Sequence, residues 1–346
     1  MTNEKLIAVV GATGSQGGGL VHAILDDPNH EFRVRALTRS ATSEKARALA
    51  DAGAEVVEAD LDDGPSMRRA FEGADGAFVV TNYWAERTPE EEATRTRASM
   101  ELAQADTAAL AAKQAGVGHV IWSTLEDTRE FFVGDEHVPS VGDEHVPSVG
   151  DEHVPSGRDA GVPDVDGAYK VPHFDAKGEA DAVFREYDVP TTFLRTTFFY
   201  EGFAGGLGPV RGDDGTLVLT LPMADQLMSA IAVADIGRTA LGVFRRGQEL
   251  VGATVSIAGD HLNGEQYAAA LGDALGEEVL YRPLGWDDFR AQGFPGAVEM
   301  GNMFQYYAQN SARFVGDRDL SAVRALNPDL LSFRDWLALP ENDIRA

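Results

Sequence analysis

Seven residues near the start of the chain, Gly11-Ala12-Thr13-Gly14-Ser15-Gln16-Gly17, follow an apolar run at 6–10 and open a stretch of helix formers. Strand, glycine loop and helix in that order form a specific device. The first glycine permits a tight turn, the second lets backbone approach a pyrophosphate, and the third lets the helix pack on the strand. The helix amides and dipole then face the anion. The loop therefore predicts a dinucleotide-binding βαβ unit, with Gly18 and Gly19 extending the close packing of the helix start.

The pattern downstream agrees. Apolar runs at 34–37, 56–59, 77–80, 120–122 and 192–196 alternate with helical stretches at 20–25, 43–52 and 90–115. A further helix is expected to begin near Pro172, where proline suits the first helical position, and to stop before Pro190. This alternation predicts an α/β fold, a Rossmann-type doubly wound parallel sheet with helices on both faces. Beyond Tyr200 the rhythm loosens. Strands are expected at 217–221, 228–233 and 254–257, followed mainly by helices, with Asn263 capping 263–275 and Ser332 opening 333–337. The expected division is a dinucleotide-binding domain of residues 1–200 with about 228–260, and a smaller, partly interleaved α/β C-terminal domain of about 201–227 with 261–346.

Charge and composition close off several functions. The 346 residues include 29 basic and 56 acidic side chains, a formal net charge of −27, which argues against a nucleic-acid partner. Cysteine is absent, so disulfides, thiolate nucleophiles and cysteine-based zinc sites are excluded and redox chemistry requires a cofactor. No stretch reaches the apolar length of a bilayer span and the start lacks a signal-peptide pattern, so the expected location is cytoplasmic, with no membrane partner. Lys5, Lys45, Lys113, Lys170 and Lys177 are the only lysines; so acidic and lysine-poor a surface resembles those of proteins from salt-loving organisms.

One segment breaks the rhythm. VGDEHVPS occurs three times in tandem, at 133–140, 141–148 and 149–156. Each copy offers metal-ligating side chains, Asp135, Glu136 and His137 in the first, but adjacent residues in a polar loop are not held at a fixed metal geometry. The expectation is a solvated insertion from tandem duplication, with no metal site.

In a dinucleotide fold the tip of the second strand meets the adenine ribose, and an acidic residue there would bind its 2′-hydroxyl. Here the tip reads Leu37-Thr38-Arg39-Ser40, with Lys45 nearby and no carboxylate before Glu44. Arg39 suits a 2′-phosphate through charge-assisted hydrogen bonds, so NADP(H) is expected in preference to NAD(H).

Taken together, the motifs resemble one family, the NmrA-like proteins, atypical members of the short-chain dehydrogenase/reductase superfamily that include NADPH-sensing regulators. The resemblance covers nearly the whole chain. It rests on GATGSQGG at 11–18, LTR at 37–39, GAEVVEADLDD at 53–63, TNYW at 81–84 and VPHFDAKGEAD at 171–181. It continues through FFYEGF at 198–203, FPGA at 294–297, MFQYYA at 303–308 and RALNPDL at 324–330. The resemblance implies Asp60 and Leu61 beside the adenine, and Thr81, Asn82 and Tyr83 along the cofactor. It further implies Lys177 on the nicotinamide ribose, and Phe198, Phe199, Tyr200 and Glu201 around the nicotinamide end. The chain departs from the family at Ala105-Asp106, where a basic residue is frequent, and at Gly202, where asparagine is common.

Active members of the superfamily use a tyrosine four residues before the lysine, with a serine or threonine after the preceding strand; the tyrosine exchanges the substrate proton. By that resemblance Ser123, Thr124 and Lys177 are in place, but the tyrosine position holds His173. His173 and Lys177 share one helix face, and a nearby ammonium disfavours an imidazolium. Tyr169 is an alternative whose position Pro172 leaves open. The expected function is therefore an NADP(H)-binding, redox-sensing module with a degenerate active site of Ser123, His173 and Lys177, acting through a protein partner or a homodimer. The alternative is an NADPH-dependent oxidoreductase of quinones or other conjugated carbonyls, with solvent supplying the proton. The aromatic residues Phe304, Tyr306 and Tyr307 are expected to pack in a core.

Overall fold

The computed structural model describes residues 4–132, 161–342 and 344. Strands β1 (Lys5–Val9), β2 (Phe32–Thr38), β3 (Glu55–Glu58), β4 (Gly76–Val79), β5 (His119–Thr124) and β6 (Thr191–Arg195) lie in one sheet. The chain then leaves it for β7 (Phe198–Phe199), β8 (Val210–Arg211), β9 (Leu217–Leu219) and β10 (Met228–Ile231). It returns with β11 (Thr254–Ser256) at the edge, before β12 (Asp260–Leu262) and β13 (Val279–Tyr281). The order of the central sheet is β11-β6-β5-β4-β1-β2-β3, with every pairing parallel. Chain direction across the sheet reverses between β1 and β4, which opens a crevice at the carboxyl ends of those strands.

Burial explains why the strands read as unbroken apolar runs. Leu6 and Ala8 of β1 face one core layer while Ile7 and Val9 face the other. A strand covered on both sides has no solvent face to mark with polar residues. Helices α1 (Ser15–Leu25) and α2 (Glu44–Asp51) cover one side; α3 (Gly64–Phe71) lies on the other.

The stretch 90–115, expected as one helix, is two: α4 (Pro89–Thr94) and α5 (Arg97–Ala115). Arg95 between them is extended, and the Thr96 hydroxyl accepts the Ser99 amide to start a new helix. No glycine or proline marks this break. A threonine cap ended the helix that composition alone would have continued. Further on, α6 (Arg129–Phe132) precedes the residues outside the description, and α7 (Pro172–Glu186) packs beside α5 with proline at its start, as expected. After α8 (Glu201–Ala204), α9 (Val233–Arg246) packs along α1.

The three VGDEHVPS copies fall outside the described residues, but their flanks are stapled together. The buried Asp175 carboxylate accepts the amide and hydroxyl of Thr128 at 2.8 and 2.6 Å, and the amides of Lys170 and Val171 at 2.8 and 2.9 Å.

Beyond the main sheet, β10 pairs with β7 and β12, and β9 pairs with β8 and β13. Helices α10 (Gly264–Leu275), α11 (Trp286–Arg290) and α12 (Ala297–Gln309) pack there, followed by α13 (Ser311–Gly316), α14 (Leu320–Leu326) and α15 (Phe333–Leu337). Asn263 and Ser332 cap α10 and α15 as expected, each in a reciprocal box. Phe304, Tyr306 and Tyr307 are buried in this region's core with Phe203, Tyr267 and Phe333. Among the described residues no helix is long and apolar enough to cross a membrane.

Candidate functional site

The glycine loop is built as its spacing requires. Gly11 takes a positive φ of 66°, and its carbonyl accepts the Gly14 amide at 2.8 Å. A Cβ on Gly17 would stand 2.5 Å from the Gly11 oxygen, so only glycine lets α1 start against the strand. Gly14 caps α1 with no side chain, and the first turn carries no acidic residue. The amides of Ser15, Gln16 and Gly17 find no acceptor among the described residues. Three uncommitted donors at a helix start fit a phosphate. Ala12 is buried at the β1 exit, and its amide reaches the Leu37 carbonyl at 3.3 Å. Thr13 completes the turn.

Around this loop the crevice gathers the other predicted residues at the ends of neighbouring strands. Thr38 ends β2, and Arg39 beyond it is exposed, with no ion pair or hydrogen bond to any described residue. Asp60 follows β3 and accepts the Asp62 amide, while Leu61 packs half-buried against the core. Asn82 is exposed; Thr81 and Tyr83 on either side of it are buried. Ser123, at the end of β5, donates its hydroxyl to Gln16 Oε1 at 2.7 Å and so joins that strand to the glycine loop. Thr124 turns instead to Asp181 and the Lys177 carbonyl.

Lys177 is buried and fully engaged. Its Nζ stands 2.8 Å from Glu101 Oε2 of α5 and donates to the Thr81 hydroxyl at 2.6 Å and carbonyl at 3.2 Å. The Thr81 hydroxyl in turn donates to Glu101 at 2.9 Å. The ammonium expected near His173 is met by a buried carboxylate, which the sequence did not reveal.

His173 has its own carboxylate. Its ring Nδ1 lies 2.6 Å from Glu299 Oε1 of α12, and its backbone amide donates to the same oxygen at 2.8 Å. An ionised carboxylate only accepts, so Nδ1 carries the proton, which leaves Nε2 without a hydrogen-bond partner among the described residues. No tyrosine fills the missing role. Tyr83 gives its hydroxyl to the other Glu299 oxygen at 3.4 Å, and burial with that carboxylate pushes its ionisation well up. Tyr169 precedes α7 and donates to Glu179; burial and the Glu179 charge push it up to about 12.

The residues expected around the nicotinamide end separate. Phe198 is buried against Phe203 and Phe304, and Phe199 is half-buried. Tyr200 is fully buried against Phe333 and Trp336, so its ring belongs to the core; Glu201 accepts the first amide of α9. A Cβ on Gly202 would stand 2.7 Å from the Phe198 ring. That ring occupies the space a larger residue would need. Asp106 accepts the Tyr187 hydroxyl at 2.8 Å.

The fold and crevice define a Rossmann-type α/β protein. The chain belongs to the NmrA-like family, whose model matches residues 3–140 and 152–337. It is 25% identical over 366 residues to the NmrA-like family domain-containing oxidoreductase lnaB of Aspergillus flavus, covering 97% of this chain and 98% of that one. Among solved structures it is similar to NmrA, a negative transcriptional regulator, in complex with NADP, with a TM-score of 0.70, 21% identity and 96% and 94% of the two chains covered. It is similar also to the Escherichia coli NADPH-dependent quinone oxidoreductase QOR2, with a TM-score of 0.65, 20% identity and 96% and 98% covered.

Sequence reasoning missed Glu101, Glu299 and the Gln16–Ser123 bond. A hint existed for Glu101: it is the lone acid on a buried stripe of α5 whose later members are Ala105, Ala108 and Ala112. Glu299 carried no such mark.

Proposed function

We propose that the chain binds NADP(H) across the Gly11–Gly17 loop and acts as an NADP(H)-dependent oxidoreductase on conjugated acceptors such as quinones. The uncommitted amides of α1 suit the pyrophosphate and Arg39 suits a 2′-phosphate, while Lys177, held by Glu101 and Thr81, would meet a ribose by exchanging a bond to Thr81. The bound cofactor would supply a hydride. The observation that carries the reading is His173: at the superfamily's tyrosine position stands an imidazole whose Nδ1 and backbone amide are held by Glu299, with Nε2 uncommitted. In this reading residues 1–200 with about 228–260 hold the cofactor, and the C-terminal part contributes Glu299.

The absence of a tyrosine beside Lys177 favours a second reading, a redox sensor whose cofactor occupancy changes a contact with a protein partner or a second copy. Likeness to the regulator NmrA supports it. NADPH consumption by the purified protein in high salt, against quinone, enone and simple ketone panels, separates the two. The oxidoreductase reading expects faster turnover of quinones than of simple ketones, because a hydroquinone anion is a far weaker base than an alkoxide and needs less help from an acid. Tight NADPH binding with no acceptor reduced leaves the sensor.

A further inference from the structure

We propose that the open edge of β13 is a docking site for an extended peptide segment carrying basic residues, taken up as a fourth strand of the small sheet in the C-terminal part. The proposal stands whichever reading of the cleft holds, because no cleft residue lines this site. The sheet runs β13-β9-β8, so β13 has a neighbouring strand on one side only. It is parallel to β9, with Val279, Leu280 and Tyr281 opposite Leu217, Val218 and Leu219, and Arg282 just beyond donates its amide to the Leu219 carbonyl at 2.9 Å. Backbone groups along a strand point alternately to its two sides. Leu280 and Arg282 thus face β9, while the amides and carbonyls of Val279 and Tyr281 face outward and meet no hydrogen-bond partner among the described residues. Such an unpaired row is a template for one more strand.

Beside that edge lies a groove. It has a volume of about 790 Å³, within the range of ligand sites, and runs between β13 and the outer side of α10. Its helical wall is low: Ala269 is small and exposed, and Gly272 has no room for a side chain, since a Cβ would stand 2.9 Å from the Glu277 carbonyl. A backbone can therefore come close. Charge selects the occupant. Glu265, Asp273, Glu277 and Glu278 line the groove, with Arg282 the one cation among the lining residues. Asp273 is met by Arg334 at 2.6 Å and Glu277 by Arg211 at 2.5 Å, whereas Glu265 and Glu278 have no ion pair among the described residues. Those two bracket the edge: Glu278 precedes β13, and Glu265 follows Gly264, which lies against the Tyr281 ring. Strand residues i and i+4 share a face and stand about 13 Å apart, so an occupant with basic residues at that spacing reaches both carboxylates. A second copy of the chain does not fit, because pairing two such edges sets these acids against their equals in a protein of net charge −27.

The test is fluorescence anisotropy of an N-terminally labelled peptide, Lys-Val-Thr-Val-Lys-amide, titrated with the full chain at low and high salt. Saturable binding that weakens as salt rises is expected, with none for the same peptide carrying glutamate in place of lysine. Two further peptides, one N-methylated at both valines and the other at the threonine and the second lysine, read the geometry. Only one of them should lose binding, because alternate amides of an added strand face its neighbour. Glu265→Gln and Glu278→Gln should each weaken the lysine peptide about two- to fivefold. Ala269→Trp fills the groove and should weaken it at least about tenfold while the urea midpoint and NADPH affinity stay put. Absence of saturable binding, equal binding of the two methylated peptides, glutamate and lysine peptides bound alike, or indifference to Ala269→Trp each overturns the proposal.

Discussion

Replacing Glu101 by glutamine strips the Lys177 ammonium of its counter-charge while keeping the shape of the side chain. In the parent the two groups lie 2.8 Å apart, with side-chain exposures of 10% for Lys177 and 1% for Glu101. Breaking a buried pair by removing one partner costs about 3–5 kcal/mol, because the other charge is left uncompensated. Two features lower that figure here: glutamine still offers an oxygen, and Thr81 keeps both its hydroxyl and its carbonyl on Nζ. The new amide group gains little in return, since Glu101 Oε1 already lacks a partner. The expected loss is about 2–3 kcal/mol, read as a lower urea midpoint at unchanged slope. Adding Lys177→Met should recover most of it, because neither charge then remains buried. A single variant within about 0.5 kcal/mol of the parent would refute the reasoning, as would a double variant no more stable than the single.

Arg39→Ala should erase most of a preference for NADPH over NADH, a loss on the order of 1.5–3 kcal/mol for a charged hydrogen bond, toward the lower end because Arg39 is exposed; equal affinities in the parent, by fluorescence titration, count against the assignment. Deleting residues 141–156 removes a little over half of the chain between Phe132 and Gly161, which changes loop-closure entropy by only about 0.7 kcal/mol while Asp175 still ties the flanks. Melting temperature and NADPH affinity should therefore stay nearly unchanged, and a large fall in either contradicts this. Burial pushes Asp181 up to about 6, so the folded chain takes up that proton before the unfolded chain does, and this contribution to stability rises as pH falls from about 7 toward 4. Asp181→Asn keeps an oxygen for Trp122 and Thr124 and should flatten that rise, stabilising the protein by about 2 kcal/mol near pH 8; destabilisation there would show that the ionised carboxylate is held favourably.

What the sequence made legible was local or periodic. The glycine loop, the doubly buried strands and the caps at Asn263 and Ser332 each depend on neighbours within a turn or on a repeating pattern. The break between α4 and α5 depends on Thr96 competing for a helix start, which a window of helix formers does not reveal. The partners of the site residues were out of reach for a different reason. Glu299 meets His173 across 126 positions and Glu101 meets Lys177 across 76, and nothing in either local pattern specifies the other end. The Lys177 charge was read from the sequence without its partner Glu101. A charge inferred from sequence is only half of an electrostatic statement; the other half is supplied by the fold.

The most direct test of the account is a single turnover. NADPH is bound to a molar excess of protein in high salt, 1,4-naphthoquinone is added, and nicotinamide fluorescence is followed alongside a protein-free control. The account predicts rapid loss of the NADPH signal with stoichiometric naphthohydroquinone, slowed in the His173→Ala variant. Bound NADPH that persists under saturating quinone, at the rate of the protein-free control, would contradict it and leave a protein that holds the cofactor without spending it.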